Sequence, residues 1–187
     1  LPIVSTGCDS YASWDVRFKH LSPMVETDGI VESIMNMLPH KQWRDEHLVI
    51  TGGEPLVGWQ RAYPDLLDHP KMKDLKEITF SVSAKLPCSG EKFEDAIKPE
   101  IVCEYEQVGT AYLKFVVATE QDFEDAQAAI TQYKLNGFTG HVYLMPIGGT
   151  ESVYTMNSRT VADLSIRNGY RYSDRLQVPL FKNEWGT

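Results

Sequence analysis

The sequence predicts an α/β protein built on mostly parallel strands. Short, almost continuously apolar segments alternate with segments that repeat apolar residues at helical spacing. Tyr112–Val117 and Val142–Met145 are of the first kind, and the segment from Glu120 to Asn136 between them is of the second. A helix joining two such strands is the usual connection in a parallel sheet, so we expect helical crossovers throughout.

The crossover helix has the most complete set of local signals. Thr119 is a good N-cap residue, and Gly137 stands where a left-handed stop belongs. Between them, apolar residues recur along one face of the predicted helix, namely Phe123, Ala126, Ile130 and Tyr133. A last helix from Arg159 to Asn168 is predicted to end at Gly169 in the same way.

The other predicted elements have weaker signals. In chain order they are a helix capped by Thr27 or Asp28 and stopped by Pro39, a strand at 47–50, a helix at 59–69, a strand at 78–82, a helix at 91–98 ended by Pro99, a strand around Cys103 and a strand at 176–178. Ligands of such folds bind at loops that leave the carboxyl ends of strands, so those loops are where we expect chemistry.

The composition is that of a globular protein with an acidic surface. The chain has 187 residues, of which 42% are hydrophobic, and 26 acidic residues outnumber 18 basic ones. This length favours one domain, and the negative charge argues against non-specific binding to nucleic acid. The apolar stretches are too short to span a membrane, and three cysteines form no even disulfide framework, which favours a reducing cytoplasm.

The most informative loop follows the strand predicted at 47–50. Gly52 and Gly53 allow a ligand to approach the backbone closely, and Glu54 is a carboxylate suited to pairing with an ammonium group. The alternative is a tight turn with a surface glutamate.

This loop resembles the one with which radical S-adenosyl-L-methionine enzymes hold the amino group of the methionine moiety. The segment Gly7-Cys8-Asp9-Ser10 resembles the end of that superfamily's Cys-x3-Cys-x2-Cys motif. Segments 81–87, 113–116 and 172–186 resemble 7-carboxy-7-deazaguanine synthases, most closely their phage-type members. The resemblance implies a partial (β/α) barrel of the radical S-adenosyl-L-methionine type, with residues 1–187 in a single domain.

The resemblance implies a carbon–nitrogen lyase that converts 6-carboxy-5,6,7,8-tetrahydropterin to 7-carboxy-7-deazaguanine with loss of ammonia. The implied cofactors are a 4Fe-4S cluster, S-adenosyl-L-methionine and Mg²⁺, with a reductant such as flavodoxin. The product would serve queuosine-type tRNA modification or, in a phage, DNA modification in the host cytoplasm. The resemblance also suggests a homodimer, with no direct contact to nucleic acid or membrane.

The resemblance assigns roles to particular residues. Cys8 would bind the cluster and Ser10 the Mg²⁺ ion, while Lys114 would face the barrel interior and the substrate. The residues that would bind S-adenosyl-L-methionine are Gly52, Gly53, Glu54, Ser83, Lys85 and Met145. Four of them have a plainer alternative: a turn hydroxyl for Ser10, a solvent-facing lysine for Lys85 and Lys114, and ordinary core packing for Met145.

The cysteines do not complete the cluster motif. With the family spacing, the partners of Cys8 would fall at Leu1 and Ser5, and Cys88 and Cys103 are better explained as small apolar residues. Either the iron site has been lost, or residues upstream of Leu1 carry the first two cysteines. We expect the second, and we also expect residues to be absent between Phe80 and Ser81, where two strand ends look fused.

Two other functions fit the same residues. One is a different radical S-adenosyl-L-methionine enzyme that acts on another small molecule. The other is a protein without a cluster that keeps the fold and binds a nucleotide or pterin.

Overall fold

A computed structural model gives the fold and describes residues 16–21, 23–48, 66–75, 77 and 79–182. The helices are α1 (Thr27–Met37), α2 (Phe93–Ala96), α3 (Pro99–Val108), α4 (Glu120–Leu135), α5 (Glu151–Asn168) and α6 (Gln177–Phe181). The strands are β1 (Thr79–Val82), β2 (Thr110–Val117), β3 (His141–Pro146) and β4 (Arg171–Tyr172), and short 3-10 turns occur at Val16–Leu21, Pro70–Met72 and Pro87–Ser89. None of the helices in these ranges is long and apolar enough to cross a membrane.

The described residues fall into two compact units that meet in sequence near Lys76. In the first unit, α1 buries Val31, and Met72 is buried in the turn at Pro70–Met72. Within it, Trp43 Nε1 donates a hydrogen bond to the Lys71 carbonyl at 3.0 Å.

The second unit contains a four-stranded sheet in the order β1-β2-β3-β4, and every neighbouring pair is parallel. The longest register joins β2 to β3, from Tyr112 opposite His141 to Val117 opposite Pro146. α4 follows β2 and α5 follows β3, so each connection is a helical crossover. The predicted α/β class with parallel strands is confirmed, and the sheet is compatible with a partial barrel.

The core lies on one face of this sheet. Alternate residues of β2 are buried there, and Leu113, Phe115 and Val117 have no exposed surface. Leu144 of β3 joins them, and α3 and α4 cover this face of β2. The intervening residues of both strands are only half-buried, because side chains of a strand alternate between the two faces.

Helix α4 has the predicted boundaries and the predicted buried face. The Thr119 hydroxyl accepts from the Asp122 N–H at 3.1 Å, and the Asp122 carboxylate accepts from the Thr119 and Ala118 N–H groups at 2.9 and 3.0 Å. This is a capping box. Burial acts to raise the pKa of Asp122, but the hydrogen bonds from Thr119 and Ala118 outweigh it and hold the pKa below its usual value.

Two predicted strands were wrong. Cys103 lies in helix α3, which Pro99 starts at its first turn, where the fixed φ of proline suits a helix. The segment at 176–178 enters helix α6, and the last strand, β4, precedes it at Arg171–Tyr172. Short apolar runs fit either type of element, and here the tertiary packing selected the helix.

Other boundaries moved. α5 begins at Glu151 rather than Arg159, although it ends as predicted at Gly169, whose φ of 70° is left-handed. α1 has Glu26 as its N-cap, and the helix predicted at 91–98 is shortened to α2. Of the strand predicted at 47–50, the described residues His47 and Leu48 are not in a strand, and most of the helix predicted at 59–69 lies outside the described ranges.

The capping box predicts how acid affects stability. Because the pKa of Asp122 is lowered on folding, its ionisation stabilises the protein above the ordinary carboxyl pKa of about 3.9, and this contribution is lost as the pH falls through the folded value. We expect Asp122→Ala to lower the free energy of unfolding by about 1 kcal/mol at neutral pH and by less near about pH 3. Urea unfolding at both pH values measures this.

The matched control is Glu124→Ala on an exposed position of the same helix turn. Glu124→Ala should lower the free energy of unfolding at neutral pH by less than Asp122→Ala does. Equal losses for Asp122→Ala at both pH values would contradict a contribution from the carboxylate charge.

Candidate functional site

The sheet face opposite the core, here called the open face, carries most of the polar groups of β2 and β3. The register places its side chains in three rows across neighbouring strands: Ser81, Tyr112 and His141 nearest the amino ends, then Lys114, Tyr143 and Arg171, then Val116 and Met145 nearest the carboxyl ends. The middle row therefore sets a tyrosine between a lysine and an arginine.

Contacts between the side chains order the first two rows. Arg171 donates from Nη1 to the Tyr143 hydroxyl at 3.0 Å and from Nη2 to His141 Nε2 at 2.8 Å. Its Cζ atom lies 5.6 Å from the centre of the Tyr143 ring, a cation–π distance. On the neighbouring strand, the Tyr112 ring lies 5.0 Å from the Tyr143 ring at a tilt of 58°. These contacts hold the Tyr143 ring in place on the open face.

The loop that follows β3 is held by one side chain from α5 and one from the segment between β4 and α6. Asn157 of α5 donates to the Ile147 carbonyl at 3.0 Å, and Arg175 donates to the Gly148 carbonyl at 2.8 Å. Gly148 has a φ of 153°, and a Cβ atom there would lie 2.6 Å from the Tyr154 backbone. These contacts hold the loop that follows the carboxyl end of β3.

Two of the predicted site residues lie on neighbouring strands, and two more follow the end of β1. Lys114 is half-buried on β2, and Met145 is half-buried near the carboxyl end of β3. Ser83 and Lys85 follow directly on β1 and flank Ala84, which packs into the core. The remaining predicted site residues, which are Cys8, Ser10, Gly52, Gly53 and Glu54, lie outside the described ranges. All of their roles stay predictions.

The two described cysteines, Cys88 and Cys103, both have raised pKa values. Partial removal from water and the neighbouring Asp122 carboxylate raise the pKa of Cys88 to about 11, so it is a thiol at neutral pH. Burial and the charges of Glu106 and Glu100 also raise the pKa of Cys103. In the part of the chain that the structure describes, no group of three histidine, cysteine or acidic side chains could hold a metal.

The raised pKa of Cys88 predicts slow alkylation. We expect iodoacetamide to label Cys88 much more slowly in the folded protein than in the protein unfolded in urea, with labelling accelerating only as the pH approaches about 11. Asp122→Ala should speed labelling at mildly alkaline pH because it removes a negative charge that disfavours the thiolate. Peptide mass spectrometry measures the rates; fast labelling of folded Cys88 at neutral pH would contradict the prediction.

Two curated proteins are similar to almost the whole chain. A 7-carboxy-7-deazaguanine synthase of Pyrobaculum aerophilum is 27% identical over 99% of this chain and 84% of its own length. A protein of the same name from Halobacterium salinarum is 27% identical over 94% of this chain and 77% of its own length. The resemblance to 7-carboxy-7-deazaguanine synthases is confirmed. No family model and no solved structure gives a significant match.

The alignment with the Pyrobaculum aerophilum synthase also compares the lengths of the two chains within the matched region. The match to the Pyrobaculum aerophilum synthase extends over 207 residues, more than the 187 of this chain, so that synthase has residues without counterparts here. β1 runs without a break through Phe80 and Ser81 in the structure. The expectation that residues are absent between these two stays a prediction.

Sequence reasoning missed the residues that surround Lys114 on the open face. They are Tyr112, His141, Tyr143 and Arg171. A signal was present, because β2 and β3 place larger or polar side chains at every second position among aliphatic ones. Arg171 gave no such signal, since its strand has only two residues.

Proposed function

We propose that this protein forms 7-carboxy-7-deazaguanine from 6-carboxy-5,6,7,8-tetrahydropterin, with loss of ammonia. The observation that carries the proposal is the similarity to two curated 7-carboxy-7-deazaguanine synthases over 99% and 94% of the chain. The parallel α/β sheet, with Lys114 on its open face, is in accord with it.

The reaction balances without a net oxidant or reductant. The proposed product differs from the substrate by one molecule of ammonia, so the enzyme is a carbon–nitrogen lyase that rearranges the ring. A protein that performs it must hold a small, negatively charged molecule with a planar pyrimidine ring in a defined orientation. The open face offers aromatic and cationic side chains for this purpose, Tyr143 and Lys114 among them.

Lys114 is the residue to which we assign contact with the substrate. It lies in the middle row of the open face and is half-buried, so its charge is less screened than that of a fully exposed lysine. An ammonium group there would attract the substrate's negative charge and donate hydrogen bonds to its oxygen atoms.

The cofactors belong to the proposal as well. S-adenosyl-L-methionine and a 4Fe-4S cluster would supply a 5′-deoxyadenosyl radical when bound, and Mg²⁺ would accompany the substrate carboxylate. The residues proposed to bind them are the ones assigned above from the family motifs, with Cys8 for the cluster and Ser10 for the Mg²⁺ ion. No group of three possible metal ligands occurs among the described residues, and Cys8, which lies outside them, is the proposed cluster ligand. We also propose that a flavodoxin-like protein is the reductant and that the protein is a homodimer.

The decisive experiment is a product assay. The protein encoded by the complete gene is purified and reconstituted with iron and sulfide under anaerobic conditions. It is then incubated with S-adenosyl-L-methionine, Mg²⁺, a reductant and 6-carboxy-5,6,7,8-tetrahydropterin. We expect mass spectrometry to detect 7-carboxy-7-deazaguanine, with release of ammonia.

The other outcomes identify the alternatives. A brown, reconstituted protein that cleaves S-adenosyl-L-methionine but leaves the pterin unchanged would indicate a radical enzyme for another substrate. A colourless protein that binds S-adenosyl-L-methionine or the pterin without turnover would indicate a binding protein and would overturn the proposal.

Lys114→Met tests the assignment of the lysine. We expect product formation to fall by about a hundredfold, because methionine keeps the length of the side chain and removes its charge and its hydrogen-bond donors. Lys134→Met, at an exposed position near the end of α4, is the control and should keep the wild-type rate. Circular dichroism checks folding, and wild-type turnover by folded Lys114→Met would remove this residue from the site.

A further inference from the structure

Arg171 is held in a fixed orientation on the open face by uncharged partners. One hydrogen bond joins it to the Tyr143 hydroxyl and another to His141 Nε2. A guanidinium group can only donate, so the histidine nitrogen is the acceptor, and this imidazole carries its proton on Nδ1 in the neutral form. The Tyr143 ring beneath the guanidinium provides a third contact.

No carboxylate neutralises Arg171 among the residues that the structure describes. Its partners there are a tyrosine and a histidine, in a chain with 26 acidic residues and 18 basic ones. Its side chain is exposed, and two hydrogen bonds leave further N–H groups of the guanidinium to donate. A cation that is fixed in place but not neutralised is prepared for an anionic ligand, because the entropy of ordering the side chain is already lost.

The neighbours of Arg171 indicate which kind of anion it would bind. The planar fork of a guanidinium matches the two oxygens of a carboxylate. The Tyr143 and Tyr112 rings stand beside it, and aromatic rings favour a planar partner. Lys114 is in the same row as Arg171, on the other side of Tyr143.

We propose that Arg171 binds the carboxylate of a heterocyclic ligand that contains a planar ring, on the open face, and that Tyr143 and His141 position its guanidinium group. The inference rests on the proposed function only in naming that ligand as the 6-carboxylated pterin. Arg171 would then determine specificity, because pterins without the carboxylate would lose this contact.

Two stable, fluorescent probes test the inference, pterin-6-carboxylate and pterin. Their dissociation constants are measured by fluorescence titration with the reconstituted protein and with its variants. We expect wild type to bind pterin-6-carboxylate more tightly than pterin. Arg171→Gln should weaken binding of pterin-6-carboxylate by about tenfold, which corresponds to about 1.4 kcal/mol, and should leave binding of pterin unchanged.

Two further variants distinguish the effect of the positive charge at position 171 from the effect of the shape and orientation of the guanidinium group. Arg171→Lys keeps the charge without the planar fork and should recover part of the preference for the carboxylated probe. Tyr143→Phe removes a hydrogen-bond partner of Arg171 and should lower the preference less than Arg171→Gln does. Arg167→Gln, which removes an exposed arginine of α5, is the control and should match wild type.

Three results would overturn the inference. The first is a wild-type protein that binds both probes equally well. The second is a preference for the carboxylated probe that survives in Arg171→Gln. The third is an Arg171→Gln variant that is folded by circular dichroism and binds both probes more weakly by the same factor. If Arg171→Gln does not fold, the test uses Arg171→Lys and Tyr143→Phe instead. A preference for the carboxylated probe that is unchanged in both variants would then overturn the inference.

The product assay and the binding titration together distinguish a failure of this inference from a failure of the proposed function. A wild-type protein that makes 7-carboxy-7-deazaguanine, with an unchanged preference in Arg171→Gln, refutes the role of Arg171 alone. A wild-type protein that distinguishes the two probes through Arg171 but makes no product refutes the reaction and supports the carboxylate site.

Discussion

The parallel pairing of β2 with β3 is the interaction on which both the core and the candidate site depend. It aligns Phe115 with Leu144 on the core face and Lys114 with Tyr143 on the open face. Because successive side chains of a strand point to opposite faces, a shift of one residue in this register would move the cation into the core and the apolar residues to the surface. The cost of burying the charge of Lys114 therefore acts together with the packing of the core to maintain this register.

The two faces differ in what they contribute. On the core face, side chains such as Leu113 and Phe115 are removed completely from water, and burial of each contributes roughly 1.5–3 kcal/mol. Ala126 and Ala129 of α4 are also fully buried, and their small side chains allow the helix to approach the sheet closely. The open face is free to carry polar and aromatic side chains because the stability of the sheet comes from its other face.

The electrostatics of the open face contrast with those of the whole chain. The chain has a formal net charge of −8, which repels small anions at a distance. Lys114 and Arg171 nevertheless place two positively charged side chains in one row of the open face. This local row within a chain of negative net charge is the basis for the proposal that a negatively charged substrate binds on the open face.

Much of this architecture follows from short stretches of sequence. The strands β2 and β3, the helix from Glu120 and the stop at Gly169 have the predicted type and nearly the predicted ends, because hydrophobic periodicity and capping residues act within a few positions. The segments around Cys103 and at 176–178 were mistaken for strands because a short apolar run fits either element, and only packing against the sheet decides. Lys114 was predicted as a site residue from a family motif, and its role stays a prediction.

The partners of Arg171 could not be found from the sequence. His141 and Arg171 are 30 residues apart in the chain, and Tyr143 and Arg171 are 28 apart. Helix α5 carries the chain back across β3, and the parallel pairing of β3 with β4 brings these side chains together. Local sequence is enough for periodicity and caps, whereas a contact between distant residues exists only once the register of the sheet is formed.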